Sequence, residues 1–307
     1  MVEGAADQLL EIHPVAGRIG AEIVGLRLSS ALPAAVLAAI RQALIRYKVL
    51  FFRGQHHLDD REQEGFGRHF GEIVPHPTVP PRAGTVIHEF DAAKGGGRVS
   101  HWHTDVTFID AYPKATILRG VVVPAYGGDT VWSNMATTYQ DLPVAMKTLA
   151  DSLWALHTNA YDYGSLRPNA SAADWRRYSE VFTATIYETE HPVVRVHPES
   201  GERALVIGGF LQKLLDFTQS DSAHIVAILH AHAMRLENTV RWRWAAGDVA
   251  VWDNQATMHS GIDDYGDQPR IMRRVTVAGE APVSVDGRRS ISRRRPKAAA
   301  PAVEAAE

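Results

Sequence analysis

Short apolar segments separated by glycine- and proline-containing turns recur along almost the whole chain, and this pattern constrains the fold more than any other feature. Many short strands with few helices are typical of a barrel or sandwich flanked by helices. The predicted helices are Pro33–Tyr47, Asp59–Phe70, Leu142–Ala150 and Asp221–Arg235. The predicted strands are Arg18–Val24, Val49–Arg53, Thr85–Glu89, Ala115–Val123, Thr130–Ser133, Leu153–His157, Val193–Val196, Ala204–Ile207, Val240–Trp244, Asp248–Asp253 and Arg270–Val277.

The composition restricts the chemistry that the chain can carry. It has no cysteine, which excludes disulfides, thiolate zinc sites, iron–sulfur clusters and a cysteine nucleophile, so a metal would have to be held by histidine and carboxylate. A formal net charge of −3 gives no support for nucleic-acid binding. There is no long apolar run and no signal-peptide pattern, so we expect no membrane segment and a cytoplasmic location.

A His-x-Asp pair at His103 and Asp105 is the first candidate for a metal site. With 15 histidines in the chain, about one such pair is expected by chance, and a second copy stands at His57 and Asp59. Asp59 precedes Glu62 by three residues, which is the signature of a helix N-cap with a capping-box partner. We therefore interpret the second copy as a helix start.

The surroundings of His103 and Asp105 differ from those of the second copy. They lie among strand-like segments, where residues i and i+2 project to the same face and Thr104 would point away. Alone, such a pair is also typical of a hydrogen-bonded core. The similar stretch at 197–199 leads into Ser-Gly-Glu at 200–202, so we interpret it as a hairpin turn.

Further along the chain, His259 closes a strand-like segment and a short polar turn that can return a third ligand to a metal. Two imidazoles and one carboxylate occupy one face of the ion and leave the other face open, which suits Fe(II) that binds a cosubstrate and O2. Arg270 and Arg274 share one face of the next strand. They need anions because a buried unpaired charge costs several kcal/mol, and their guanidiniums match carboxylate or sulfate.

Three alternatives to an iron site with bound anions stay open on these residues alone. The two arginines could pair with carboxylates of the protein itself. Three protein ligands also describe the catalytic zinc of a hydrolase. The third alternative is a binding protein that catalyses no reaction.

We expect residues 1–286 to form a single domain and residues 287–307 a flexible tail. Arginines cluster at 288–289 and 293–295, and alanine dominates from residue 298 onward. Inside the domain, residues 75–84, 91–97 and 159–190 have the composition of long functional loops, which are either lids that could order over a substrate or disordered segments.

With these residues assembled, the chain resembles the taurine dioxygenase (TauD/TfdA) family of Fe(II)- and 2-oxoglutarate-dependent enzymes. The likeness covers the whole folded part, and the motifs are specific in combination although each is weak alone. They are Trp-His-Thr-Asp-Val-Thr-Phe at 102–108, Gly-Gly-Asp-Thr-Val-Trp at 127–132 and Val-Trp-Asp-Asn-x-Ala-Thr-x-His at 251–259, followed by Arg270 and Arg274.

The resemblance implies a role for several of these residues. The iron ligands would be His103, Asp105 and His259, and the distal carboxylate of 2-oxoglutarate would meet Thr130 and Arg270. The implied fold is a double-stranded β-helix, or jelly-roll, with helices packed outside. Fe(II), 2-oxoglutarate and O2 would be required, the substrate would be a small organic anion, and the protein would be a homo-oligomer, a dimer or tetramer. A dicarboxylate clamp also argues against the zinc hydrolase, because hydrolysis needs none.

Within the family, the chain looks most like the alkylsulfatases, which cleave alkyl sulfate esters. By this likeness His76, Arg274 and the backbone at Val106 would hold the sulfate while the adjacent carbon is hydroxylated, releasing aldehyde and sulfate with succinate and CO2. A protonated His76 would strengthen binding, which predicts weaker binding as the pH rises through about 6–7. The alternative is the same chemistry on a sulfonate such as taurine or on an aryloxyalkanoate, because the segment from Glu89 to Ser100 departs most from an alkylsulfatase.

Overall fold

A large β-sheet packs against a smaller, three-stranded one at the centre of the protein. The computed structural model describes residues 9–94, 99–160, 176 and 178–296. Within these ranges the helices are α1 (Ala34–Tyr47), α2 (Asp60–Arg68), α3 (Met135–Asp141), α4 (Val144–Ser152) and α5 (Gln219–Ala233). Short 3₁₀ turns lie at Ala92–Lys94 and Leu236–Asn238, and a π-helical turn lies at Tyr178–Phe182.

The strands account for most of the regular structure in the described residues. In chain order they are β1 (Glu11–Pro14), β2 (Ala21–Val24), β3 (Val49–Phe52), β4 (Ile73–Val74), β5 (His88–Asp91), β6 (Ala115–Val122), β7 (Thr130–Asn134), β8 (Trp154–Thr158), β9 (Thr185–Pro192), β10 (Val194–Val196), β11 (Arg203–Leu205), β12 (Leu211–Leu214), β13 (Thr239–Trp242), β14 (Val249–Asp253), β15 (Thr257–Gly261), β16 (Ile271–Val277), β17 (Val283–Ser284) and β18 (Ile291–Pro296).

The larger sheet has the order β1-β2-β3-β14-β6-β16-β4, and β5 also pairs with β16. Three smaller sheets have the orders β13-β7-β15, β12-β8-β9-β18 and β11-β10-β17. Among the described strands the pairs are antiparallel except for β2 with β3. Antiparallel sheets that face each other with helices outside confirm the predicted mainly-β, jelly-roll fold.

Strand β3 shows how the sequence places the core. Leu50 and Phe52 pack toward the α1 and α2 side of the sheet, whereas Phe51 points into the space between the sheets. There its ring lies 5.5 Å from the ring of Trp132 on β7 and stacks at 4.0 Å on Trp242 of β13. A strand buried on both faces needs an apolar residue at every position, which is why it has no polar alternation.

The predicted helices are present, with starts that the sequence signals explain. The side chain of Asp59 accepts a hydrogen bond from the Glu62 amide at 2.8 Å, so the prediction that the second His-x-Asp copy starts a helix is confirmed. The Glu62 carboxylate does not complete a capping box and instead accepts from the amide and hydroxyl of Ser30. Helix α3 was not predicted; its first turn is capped by the side chain of Asn134.

The prediction of a flexible segment from residue 287 onward is wrong for residues 291–296. These form β18, which pairs with β9 along its whole length. The physical reason is charge: Arg293 lies beside the acidic strand β9 and forms an ion pair with Glu190 at 2.7 Å, and opposite charges on neighbouring strands stabilise a pair. Residues 297–307 lie outside the described part of the chain.

The loop predictions are correct in part. Residues 75–84 contain no helix or strand, and residues 197–202 form the predicted hairpin turn between β10 and β11. In contrast, Thr185–Pro192 is a strand, so the proposed loop at 159–190 is wrong at its C-terminal end. The rest of that region includes residues 161–175, which are outside the described ranges, as are residues 95–97 of the loop at 91–97. None of the described helices has the length and hydropathy needed to span a bilayer.

Candidate metal centre and anion-binding cavity

The structure brings the three predicted metal ligands together at one mouth of the space between the sheets. His259 lies on β15, and His103 pairs with it through two backbone hydrogen bonds of 2.9 and 2.8 Å. Asp105 follows two residues later, and ligand atoms of all three side chains lie within 4.8 Å of one another. All three residues are buried. The second His-x-Asp copy takes no part in this cluster.

The backbone around Asp105 differs from the predicted strand. Only His103 makes a β-bridge, and residues 105–108 form a turn in which Val106 has a φ of 61°. Asn254 takes the place of a strand partner: its carboxamide oxygen accepts from the Asp105 amide at 3.0 Å, and its nitrogen donates to the Asp105 carbonyl at 3.2 Å. The side chain of Asn254 therefore fixes the backbone that carries the carboxylate.

Neighbouring groups also orient the ligand side chains. The Nδ1 atom of His103 lies 2.8 Å from the His101 carbonyl, which can only accept, so Nδ1 carries the proton and Nε2 faces Asp105. The second carboxylate oxygen of Asp105 accepts from the Thr116 hydroxyl at 3.1 Å. Such supporting bonds fix the tautomer and the direction of a metal ligand.

The protonation states suit a divalent metal. Burial lowers the pKa of His103 and holds the pKa of His259 well below its ordinary value, so both imidazoles are neutral near pH 7. Burial raises the pKa of Asp105, but the positive charge of Arg274 and the hydrogen bond from Thr116 outweigh it and keep the carboxyl ionised. Neutral imidazoles and an ionised carboxylate are the forms that bind metal. The buried Nδ1 of His259 has no partner among the described residues.

The donor set fits iron better than most other metals. A facial arrangement of two imidazoles and one carboxylate with open positions is the usual ligand set of non-haem Fe(II). With no thiolate available in the chain, soft-metal sites are excluded.

A cavity opens directly from the ligand cluster and holds the predicted cosubstrate residues. Its polar walls include Thr130 at the start of β7 and Arg270 immediately before β16. The Thr130 hydroxyl oxygen accepts from the indole nitrogen of Trp244 at 3.0 Å, so its own proton is available to another acceptor. The remaining lining residues are Phe90, Val99, His103, Leu118, Trp252, His259, Gly261, Met272 and Arg274.

The two inward arginines differ in their pairing. Arg270 is 8% exposed and forms no ion pair with a carboxylate among the described residues, and burial lowers its pKa. Arg274 instead donates to Asp105 Oδ1 at 2.5 Å, so the alternative of a pair with a protein carboxylate is correct for Arg274. Arg273 points to the opposite face of the sheet, where it pairs with Asp60.

His76 lies in the loop beside this mouth but does not have the protonation state that we predicted. Its Nδ1 atom accepts from the amides of Thr78 and Val79 at 3.3 and 3.1 Å, which places its proton on Nε2. Desolvation and the nearby Arg274 lower the pKa of His76 to about 3. The prediction of a protonated His76 at pH 6–7 is therefore wrong, and this side chain can hold an anion only as a neutral donor.

An aromatic wall connects His76 to the metal ligands. The ring of His76 is 5.9 Å from that of Phe182 and 6.2 Å from that of Phe108. Phe108 in turn lies 4.9 Å from Phe210, whose ring is 6.5 Å from that of His103. Phe108 and Phe210 are buried, so the partly exposed ring of Phe182 is the apolar group of this wall that an anion held at His76 would have beside it.

Several functional neighbours were not identified from the sequence. Asn254 and Thr116 fix the carboxylate of Asp105 as described above. His88 and Phe90 lie on one face of β5, with His88 Nδ1 3.4 Å from Arg274 Nη2 and the Arg274 guanidinium 4.9 Å from the centre of the Phe90 ring. The strand alternation at 88 and 90 was a usable signal, but it does not show which strand lies opposite.

Comparisons with known proteins agree with this geometry. The family model described as taurine catabolism dioxygenase TauD, TfdA family matches residues 11–276. The alpha-ketoglutarate-dependent sulfate ester dioxygenase of Pseudomonas putida is 60% identical over 287 residues, which are 93% of this chain and 95% of that protein. The alkylsulfatase of Acinetobacter baylyi is 51% identical over 281 residues, 91% of this chain and 88% of that protein. A crystal structure of a taurine dioxygenase from Burkholderia xenovorans has a TM-score of 0.78 at 37% identity, covering 92% of this chain and 94% of that one.

Proposed function

This chain belongs to the taurine catabolism dioxygenase TauD, TfdA family and is a 2-oxoglutarate-dependent dioxygenase, and we propose that its substrate is an alkyl sulfate ester hydroxylated at the carbon next to the sulfate. The observation that carries the proposal is a set of anion-binding groups beside an aromatic wall, at the same mouth as the ligand cluster. Such a site fits a molecule with an anionic head and an apolar body. The relatives named for sulfate esters and alkyl sulfates support the same substrate.

In this proposal His103, Asp105 and His259 hold Fe(II). When bound, the iron couples the decarboxylation of 2-oxoglutarate by O2, which yields succinate and CO2, to hydroxylation of the substrate. The two imidazoles and one carboxylate would leave room on the ion for the cosubstrate and O2. The burial of the three side chains and the tautomer fixed at His103 keep the ligands in the form that binds metal.

The cosubstrate lies in the cavity beside these ligands. Arg270 takes the distal carboxylate of 2-oxoglutarate, since its buried guanidinium lacks a carboxylate partner among the described residues and its planar fork matches one. The hydroxyl oxygen of Thr130 accepts from Trp244, so the hydroxyl proton is free to be donated to the same carboxylate. These two contacts orient the molecule toward the metal.

The sulfate head lies between three donors. His76 donates through Nε2, Arg274 supplies the positive charge, and Val106 offers its amide, which donates to no acceptor among the described residues. The alkyl body lies along Phe182, the partly exposed ring of the aromatic wall. Holding the head from several sides directs the neighbouring C–H bond toward the metal, and this positioning is the main contribution of the protein.

Hydroxylation of the carbon that carries the sulfate determines the products. The new hydroxyl loses its proton as its oxygen forms the carbonyl. The bond between carbon and ester oxygen breaks, and sulfate leaves with the electron pair. The products are an aldehyde and inorganic sulfate, without hydrolysis by a protein nucleophile.

The test is substrate-dependent succinate release in the presence of Fe(II), 2-oxoglutarate and O2. A medium-chain alkyl sulfate is compared with taurine and an aryloxyacetate, and released sulfate is measured in the same samples. We expect succinate and sulfate in equal amounts from the alkyl ester. Turnover of taurine or the aryloxyacetate instead would assign the sulfonate or carboxylate alternative, and no succinate with any compound would contradict the dioxygenase assignment.

A further inference from the structure

Side chains on one face of the sheet β12-β8-β9-β18 form hydrogen bonds to the turn that contains Val106. His157 on β8 lies opposite Thr189 on β9, and His191 follows Thr189 on the same face of β9. The three side chains are buried, and all three contact the turn at 105–108. The proposed iron and cosubstrate contacts use none of them.

His191 makes the most directional of these contacts. Its Nε2 atom is 2.7 Å from the carbonyl oxygen of Thr107, which can only accept, so Nε2 carries the proton. Its Nδ1 atom is 2.6 Å from the hydroxyl of Ser290, which donates to it because burial lowers the pKa of His191 to about 4 and keeps the ring neutral. Ser290 is itself held by the bond from its amide to the carbonyl of Pro282.

Two further bonds hold the other side of the turn. The hydroxyl of Thr189 donates to the Phe108 carbonyl at 2.8 Å, and the side chain of Thr107 lies 3.0 Å from Nδ1 of His157. The carbonyls of two consecutive turn residues are thereby fixed by side chains of a single strand. On the ligand side, Asn254 fixes Asp105 at both its amide and its carbonyl.

These hydrogen bonds hold Val106 in a backbone conformation that valine rarely adopts. A φ of 61° is unfavourable for a β-branched residue and persists only where the surroundings impose it. The result of this conformation is the direction of the Val106 amide, which donates to no acceptor among the described residues. A strained residue with an unpartnered amide, immediately after the metal-ligand candidate Asp105, indicates that the turn is kept for a ligand.

We propose that His191, supported by Ser290 and assisted by Thr189, is a positioning residue that aims the Val106 amide at the sulfate of the substrate. This inference rests on the proposed function, because it assigns the sulfate to that amide. It also gives the segment around Ser290, which the sequence predicts to be part of a flexible tail, a part in substrate binding. None of the three residues touches the substrate; each acts through the turn.

The experiment compares paired variants at two positions. Thr189→Val removes the hydroxyl at nearly constant volume, and Thr189→Ser retains it. His191→Leu removes the donor, and His191→Gln can still donate to the Thr107 carbonyl. For each variant we would measure the KM for an alkyl sulfate, the KM for 2-oxoglutarate, kcat, bound Fe(II) and the melting temperature.

We expect Thr189→Val and His191→Leu to raise the KM for the alkyl sulfate several-fold to about tenfold, the loss that one hydrogen bond of about 1 kcal/mol predicts. The KM for 2-oxoglutarate and the bound iron should stay near their wild-type values, and Thr189→Ser and His191→Gln should recover most of the affinity. An unchanged KM for the alkyl sulfate would overturn the inference. So would a parallel rise of both KM values with a lower melting temperature, since that indicates a merely structural role.

If His191→Leu does not fold, the pair at Thr189 still decides the question. A wild-type enzyme without alkyl-sulfate-dependent succinate release would contradict the proposed function, and the inference would fail with it. Full wild-type activity together with unaffected variants would contradict the inference alone.

Discussion

At the scale of single residues, the position of one proton determines how His76 can bind an anion. We expect the KM for an alkyl sulfate to be constant between about pH 6 and 8, because the pKa of about 3 keeps the ring neutral throughout that range. Its Nε2–H donor is therefore unchanged by pH. Initial rates at several pH values, with the KM fitted at each, would check this. A KM that rises steadily across the range would indicate a titrating histidine.

The same donor can be removed without changing the charge of the site. We expect His76→Leu to raise the KM for the alkyl sulfate by about 10- to 100-fold, since a hydrogen bond to a charged group contributes about 1.5–3 kcal/mol. His76→Gln should lose less, because the glutamine amide can still donate. The KM for 2-oxoglutarate serves as the internal control; an equal change in both KM values would argue against a sulfate contact.

Arg270 offers a test of the cosubstrate site. We expect Arg270→Lys to raise the KM for 2-oxoglutarate at least tenfold, because an ammonium group cannot form the two parallel hydrogen bonds of a guanidinium. The KM for the alkyl sulfate should change little. Arg203→Lys, at an exposed ion pair with Asp151, is the matched control and should behave like the wild type. Kinetics with each substrate varied in turn would separate the two effects.

At the scale of elements, the chain contains two His-x-Asp pairs with different structural roles. We expect Asp59→Ala to lower the free energy of unfolding by about 1 kcal/mol through loss of the helix cap, with normal iron binding. Asp105→Ala should abolish iron binding and turnover. Urea unfolding and metal titration of both variants would check this. Loss of iron from the Asp59 variant would contradict the assignment of the two pairs.

In strand β16, the alternation of residues along the strand was enough to predict which face each side chain occupies. The period of two in a strand places Arg270, Met272 and Arg274 on one face and Arg273 on the other, and the structure agrees. Strand alternation does not predict which group each guanidinium pairs with. Arg274 meets Asp105, which is 169 residues earlier in the chain, and only the packing of the turn at 105–108 against β16 brings the two together.

At the scale of the whole molecule, the C-terminal segment contributes to the sheet behind the substrate turn. We expect a chain that ends at Asp286 to melt at a lower temperature and to have a higher KM for the alkyl sulfate, because it lacks both Ser290 and β18. A chain that ends at Pro296 is the control that retains both. Equal melting temperatures and KM values for the two truncations would contradict a role for residues 287–296.

The expectation of a homo-oligomer, a dimer or tetramer, also belongs to this scale and stays a prediction. Association would cover large apolar side chains that are exposed on and near α4 and α5, such as Val144, Ile228 and Leu236. Sedimentation equilibrium of the iron-loaded protein would give the mass directly. A mass near 33.8 kDa at all concentrations would contradict the prediction.

The sequence by itself determined the class of fold and the ligand candidates. Strand periodicity, turn residues and capping signals are local, so they could be recognised without tertiary contacts. The candidates His103, Asp105 and His259 came from residue types and motif context, and the structure places them in one cluster.

Only the tertiary structure decided the protonation and the support of the site. Burial and the approach of Arg274 set the neutral state of His76, and neither can be read from neighbouring residues. The unpredicted strand at Ile291–Pro296 exists because an acidic strand lies beside it. The turn at Val106 is held by residues 50 to 149 positions away. These features depend on distances between segments remote in the chain, and local patterns carry no information about such distances.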